Sequence, residues 1–154
     1  MDEYLGNTSL LDRYLVAFFV SRSSTAEITE RALQWATNIC QTDKVAISGF
    51  HSPLEKEILN YFLERQHPVI IALGRALYKR IPDHLKSHSN EGRVLFVSFR
   101  DYSRHSWSSA HIRNWSVAKL AEEVYFTQFD NTSSLSTLHY TFKHYGNTPV
   151  HILE

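Results

Sequence analysis

Residues 44–74 read KVAISGFHSPLEKEILNYFLERQHPVIIALG. An apolar run, KVAISG (44–49), leads into a short turn. Ser52, Pro53 and Glu55 then spell a helix start. A hydroxyl three residues before a carboxylate is a capping box, and proline at the first helical position removes no amide that the helix would use. Leu54, Ile58, Leu59 and Phe62 recur at helical spacing and give one apolar stripe. A second apolar run, HPVIIALG (67–74), follows. Strand, capped helix and strand in succession are the unit from which a parallel sheet is built.

The same alternation continues in both directions. YLVAFFV (14–20), RVLFVSF (93–99), EVYFTQF (123–129) and TPVHIL (148–153) are further apolar runs. Most are continuous rather than alternating, as expected of strands covered on both faces. Helical stripes lie between them. In 25–41 the stripe is Ile28, Ala32, Trp35, Ala36 and Ile39. In 110–121 it is Ile112, Trp115, Ala118 and Ala121, and in 134–145 it is Leu135, Leu138, Phe142 and Tyr145. STAE (24–27) reads as a second capping box, and Gly146 with Pro149 beyond it ends the last helix. Segment 75–92 reads as a short helical turn plus loop, and 100–109 as a polar, aromatic loop. The expected fold is α/β: one domain over 1–154, a three-layer sandwich with a mainly parallel sheet of about six strands, helices on both faces and right-handed crossovers.

Composition sets limits. Lys plus Arg and Asp plus Glu balance at 16 each, so no global field draws in nucleic acid and any such binding needs a local patch. Cys40 is the only cysteine, which excludes an internal disulfide and a cysteine zinc site and fits a reducing cytoplasm. YLVAFFV is too short to span a membrane. MDEYLGNTS is acidic and polar, unlike a signal peptide. His84/His88 and His139/His144 lack a third ligand, so no metal site is expected, and no cofactor either. There is no GxxxxGK[ST] loop and no glycine-rich dinucleotide fingerprint after the first strand.

In an open parallel sheet, ligands sit beyond the carboxyl ends of the strands. The loops expected there are SRSST (21–25), GFHSP (49–53), GRAL (74–77), 100–109 and DNTSS (130–134). They carry small, hydroxyl and basic residues, and two lead into capped helix starts that attract anions. Arg22, Arg75, Arg100 and Arg104 add charge to that edge. A phosphate-bearing ligand is the natural expectation. Ser24 and Ser52 also read as plain caps, Glu27 and Glu55 as their partners, and His51 as a turn residue.

The order of these motifs resembles the Rossmann-like core of the DprA/Smf family of DNA-processing proteins. GNTSLLDRYLVAFFVSR (6–22) is similar to the family's Gly-Asn-x-x-Leu-Leu segment and its strand ending in Ser/Thr-Arg. SGFHSPLE (48–55) stands where the family has Ser-Gly-x-Ala-Arg-Gly-Ile-Asp. ALGRALYKRIP (72–82), IRNWSVAKLAEEVYF (112–126), TSSLSTL (132–138) and GNTPVHIL (146–153) follow in family order. Val20 and Ser133 replace family glycines, and His51, Ser52 and Pro53 replace Ala, Arg and Gly. The family's accessory domains, such as a winged helix, are not expected in this length.

The resemblance implies a Rossmann-like fold and a non-enzymatic binder of single-stranded DNA, acting in DNA processing or recombination beside a RecA-type recombinase. It carries over residue by residue to Ser21, Arg22, Gly49, Arg113, Asn114 and Ser134, with His51 and Ser52 at the altered turn. Tyr102, Trp107 and Trp115 are candidates to stack bases if exposed, although Trp115, on the apolar stripe, reads first as a packing residue. The alternative is a sensor of one nucleotide or phosphosugar. A nucleotide hydrolase, with Glu55 or Glu122 as acid, comes third, because DNTSSLST (130–137) lacks the Pro-Gly-Gly-x-Gly-Thr loop of the related phosphoribohydrolases. No catalytic residue is assigned. A homodimer through a sheet edge or the 99–107 stretch stays open, no membrane contact is expected, and the expected location is the cytoplasm.

Overall fold

The computed structural model describes residues 2–21, 25–99 and 107–154, with side chains from 112 onward in the last stretch. Its strands are β1 (Glu3–Gly6), β2 (Leu15–Phe19), β3 (Val45–Ser48), β4 (Val69–Leu73), β5 (Val94–Ser98), β6 (Glu123–Thr127) and β7 (Val150–Leu153). Its α-helices are α1 (Ala26–Cys40), α2 (Pro53–Glu64), α3 (Asp83–Asn90), α4 (Trp107–Leu120) and α5 (Ser134–Tyr145). One sheet holds every strand, in the order β1-β5-β4-β3-β2-β6-β7. All neighbours are parallel except β1, which runs antiparallel to β5.

The sheet divides two cores. On one face Phe18 stacks on Trp35 of α1 with ring centroids 4.5 Å apart, and Trp35 meets Phe62 of α2 edge-on. Leu85 of α3 joins this core. On the other face Val117 and Ala118 of α4 and Leu135, Leu138 and Phe142 of α5 cover Phe19, Ile47 and Phe126. The change of face follows the strand order. From β2 to β5 the chain steps in one direction, and from β5 it crosses back to β6. Crossovers of one handedness must then lie on opposite faces of the sheet.

The sheet has a seventh strand beyond the six read from the sequence. β1 is short, mostly exposed and lacks an apolar pattern, so nothing in its sequence marks it. Its end explains the Gly6-Asn7 pair. Gly6 has φ +116°, and a Cβ there would lie 2.5 Å from the Val94 carbonyl oxygen. Asn7 then donates its backbone amide to the Val94 carbonyl and its side-chain amide to the Gly92 carbonyl, fixing β1 to the sheet edge.

Two local readings are corrected. The cap of α1 is Thr25, whose hydroxyl accepts from the Ile28 amide at 3.1 Å, not Ser24. The alternation SSTA leaves the frame of a hydroxyl cap ambiguous by one residue. On α4 the buried line among the described side chains is Arg113, Val117 and Ala118, continued by Ala121 just past its end, whereas Ile112 and Trp115 are half-buried. Apolar residues surround most of this helix, so spacing alone does not choose its face. The short helical turn read in segment 75–92 is the two-turn helix α3. None of the described helices is long and apolar enough to cross a membrane.

Candidate functional site

Strand order reverses between β2 and β6, which is where an open α/β sheet opens a crevice at its carboxyl edge. The loops after β4, β3, β2 and β6 are therefore neighbours along that edge. At the crevice itself, the Ser21 amide donates to the Thr127 hydroxyl at 3.0 Å, and both residues are buried. This bond closes the gap between β2 and β6 just past their last ladder pair. Arg22, Arg100, Arg104 and Tyr102 lie outside the described residues, as does the side chain of Trp107.

The next loop, after β3, is built around Arg113. Its guanidinium comes from α4 and lies against Gly49. A Cβ at Gly49 would fall 2.6 Å from Cζ, 2.7 Å from Nε and 2.9 Å from Nη1 of Arg113. Residue 49 is glycine because the arginine occupies the space of a side chain. Arg113 is 7% exposed. Its Nε and Nη2 donate to Oδ1 of Asn114 at 3.3 and 3.2 Å, and its buried Nη1 has no hydrogen-bond partner among the described residues. Burial pulls its pKa below the usual arginine value, and the charge of Glu55 pushes in the opposite direction. Arginine stays protonated under any ordinary condition, so a full positive charge sits beneath the β3 loop.

Glu55 is the second organising residue. Oε1 accepts from the Ser52 amide at 2.9 Å, the Ser52 hydroxyl accepts from the Glu55 amide at 3.2 Å, and Oε2 accepts from the buried Ser48 hydroxyl at 3.0 Å. The capping box read from the sequence is present, extended by one bond to the strand end. Ser48 is the part sequence reasoning missed. It is a small polar residue at the end of an apolar run, where a free strand end and a buried partner look alike.

The backbone of the turn is unusual. Gly49 does not take the left-handed conformation; Phe50 does, with φ +51°. A bulky residue there costs about 1–2 kcal/mol. The Phe50 ring is buried in the α1/α2 core, and full burial of such a ring returns about 1.5–3 kcal/mol. His51 follows, exposed, and Ser52 caps α2. Thus Gly49, His51, Ser52, Arg113 and Asn114 come together around one loop. Ser21 lies at the adjacent crevice. Ser134 is exposed at the start of α5, beside Ser133, whose hydroxyl accepts from the Leu135 amide.

The remaining candidates are placed elsewhere or differently. Arg75 is half-buried, with its guanidinium carbon 5.1 Å from the Tyr78 ring centroid. Trp115 packs on Phe142, with centroids 5.4 Å apart. Glu122 lies at the opposite edge of the sheet, where Oε2 accepts from the Leu15 amide at 2.5 Å. It cannot serve as an acid at the carboxyl edge. Among the described residues no group of three or more His, Cys, Asp or Glu side chains is placed to hold a metal ion.

No protein-family model matches the chain. No curated protein matches it either. Solved structures do. One is DNA processing protein A from Helicobacter pylori, in a study of its single-stranded DNA binding mode: TM-score 0.76, 21% identity, 98% of this chain and 70% of that one. Another is DNA processing protein A (DprA) from Streptococcus pneumoniae: TM-score 0.66, 16% identity, 97% of this chain and 62% of that one. At these identities the likeness is one of fold, and over nearly its full length the chain has the Rossmann-like fold seen in DprA.

Proposed function

We propose that this domain is a DprA-like, non-enzymatic binder of single-stranded DNA that acts in DNA processing. The observation that carries the reading is the likeness in fold, over 98% of the chain, to a DprA structure studied for single-stranded DNA binding. The strand would cross the carboxyl edge, over the loops after β3, β2 and β6. Ser21, Gly49, His51, Ser52, Arg113, Asn114 and Ser134 form or support that surface, and Arg22 belongs to it by its place in the sequence. Arg113 would act from below, as a buried charge whose field is weakly screened. Glu55 has both carboxylate oxygens engaged in the fold, which leaves a hydrolase without its acid. On the same reading the strand is passed to a RecA-type recombinase in the cytoplasm, and a homodimer is compatible with it.

Fluorescence anisotropy of a labelled oligothymidylate tests the proposal. Affinity should fall linearly in log–log form with salt, with a slope of about −0.7 for each phosphate contacted. Folded protein that shows no binding at low salt would end the reading. A thermal shift given by a single mononucleotide and not by the oligonucleotide would favour the small-ligand sensor instead.

A further inference from the structure

The chain is neutral overall, with 16 acidic residues, yet from Asn131 to Leu153 there is no aspartate or glutamate. This stretch contains α5. The inner face of the helix is ordinary: Leu135, Leu138 and Phe142 are buried. Its outer face is not. Ser134, Thr137, Tyr140 and His144 follow one another at spacings of three, three and four, so they form a single exposed stripe. Tyr140 is 54% exposed and Tyr145 is 79% exposed, the two most exposed large hydrophobic side chains among the described residues. The His144 ring lies 4.4 Å from Tyr140 and the Tyr145 ring 6.3 Å, centroid to centroid. Lys143 is exposed beside them.

The stripe begins at the candidate site. α5 follows β6, so Ser134 lies at the carboxyl edge, and the helix then runs back along the side of the sheet. Twelve residues extend about 18 Å. Hydroxyls come first, then a cluster of three rings with a lysine. Exposed aromatic rings interleaved with cations, and free of carboxylates, fit a polymer of π-faces and phosphates. Tyrosine is also common at protein interfaces, but a protein partner fits less well: no aliphatic side chain on α5 is among the exposed large hydrophobics, and lysine is depleted from interface cores.

We propose that the outer face of α5 is a second contact surface for single-stranded nucleic acid, continuing the track that begins at the carboxyl edge. The proposal rests on the DNA-binding reading above, but it concerns different residues. Tyr140 and Tyr145 stack bases, and Lys143 pairs with a phosphate.

The test compares labelled oligothymidylates of about 5 and about 20 nucleotides, lengths that bracket common single-strand site sizes. The proteins are the wild type, Tyr140→Ala/Tyr145→Ala, Tyr140→Phe/Tyr145→Phe and Lys143→Ala. All of these positions are exposed, and circular dichroism checks the fold. The expected result is an affinity for the long oligonucleotide reduced about fivefold or more per tyrosine removed, with the short one unchanged and the Phe pair binding like wild type. Lys143→Ala should make the salt slope for the long oligonucleotide shallower by about 0.7. Wild-type affinity of the double alanine variant for the long oligonucleotide overturns the proposal and leaves the carboxyl-edge reading standing. The opposite failure is also visible: long-oligonucleotide binding that survives Gly49→Ala but not the tyrosine changes supports the α5 surface and removes the edge. Loss of self-association in the double alanine variant, with DNA affinity intact, overturns the proposal in favour of a second copy of the chain.

Discussion

Gly49→Ala isolates the contact that organises the candidate site. The added methyl would sit 2.6 Å from Arg113 Cζ and 2.7 Å from Nε, well inside contact distance. Arg113 is 7% exposed, so it cannot simply swing into water. Overfilling a packed region costs about 1–3 kcal/mol. At this chain length that is a fall of about 3–10 °C in melting temperature. The backbone itself gives no reason for a cost, because Gly49 is not left-handed. With the arginine gone, alanine should be neutral, or stabilising by about 0.4–1 kcal/mol through the unfolded chain. A double-mutant cycle in urea therefore decides the matter. Gly49→Ala in an Arg113→Ala background should lose its penalty, a coupling of about 1 kcal/mol or more. Additivity within about 0.5 kcal/mol would refute the account of why residue 49 is glycine.

Three other outcomes follow from local geometry. Gln66 closes α2 with φ +58°, and the amides of Gln66 and His67 bond back to the carbonyls of Leu63 and Phe62; Gln66→Gly should stabilise by about 1 kcal/mol in the same urea assay. Glu55→Ala strips the acceptors from the Ser52 amide and the buried Ser48 hydroxyl and should cost about 2–3 kcal/mol, whereas Glu55→Gln, which can bond to both, should cost about 1. Burial works against the charge of Glu123, but the hydrogen bond and charge of Lys44, with bonds from Tyr14 and His151, outweigh it and hold its pKa below the ordinary value of 4.5. A depressed folded pKa stabilises above the unfolded value, so the stability gap between wild type and Glu123→Gln should be full at neutral pH and close as pH falls below about 4.5.

The parallel core was legible because each strand from β2 to β5 carries a run that only burial on both faces explains. The start of α2 was legible too, since its cap is chemically marked. What escaped was structure held by single long-range contacts. β1 depends on Gly6 and Asn7 meeting the backbone around Val94, some ninety residues away in sequence. The burial of Arg113 is invisible locally, because arginine is read as a surface residue until its partner is known. Gly49 illustrates the same limit. A glycine after a strand suggests a turn, and here the turn falls on Phe50 while the glycine makes room for a side chain from another helix. The sequence singles out the residue, and the structure gives a physical reason for a glycine there in a contact with α4.

The chemistry of α2 shifts the expected place of phosphate recognition. A helix start attracts anions through amides that have no partner. At α2 these are nearly exhausted. Pro53 has no N–H, the Ser52 amide is held by Glu55, the Glu55 amide by the Ser52 hydroxyl, and the Lys56 amide by the Ser52 carbonyl. The Glu55 carboxylate adds a negative charge at the same point, against an anion. At α1 the Thr25 hydroxyl and carbonyl take the amides of Ile28 and Thr29, while those of Ala26 and Glu27 have no partner among the described residues. α1 also starts at the end of β2, next to the reversal of strand order. On the proposed DNA-binding reading, a sugar-phosphate chain on this edge would therefore be better received at α1 and the hydroxyl-rich start of α5 than at α2. The β3 loop is left with a different task. Left-handed Phe50 and buried Arg113 flank exposed His51, and on that reading this loop would meet a base rather than a phosphate.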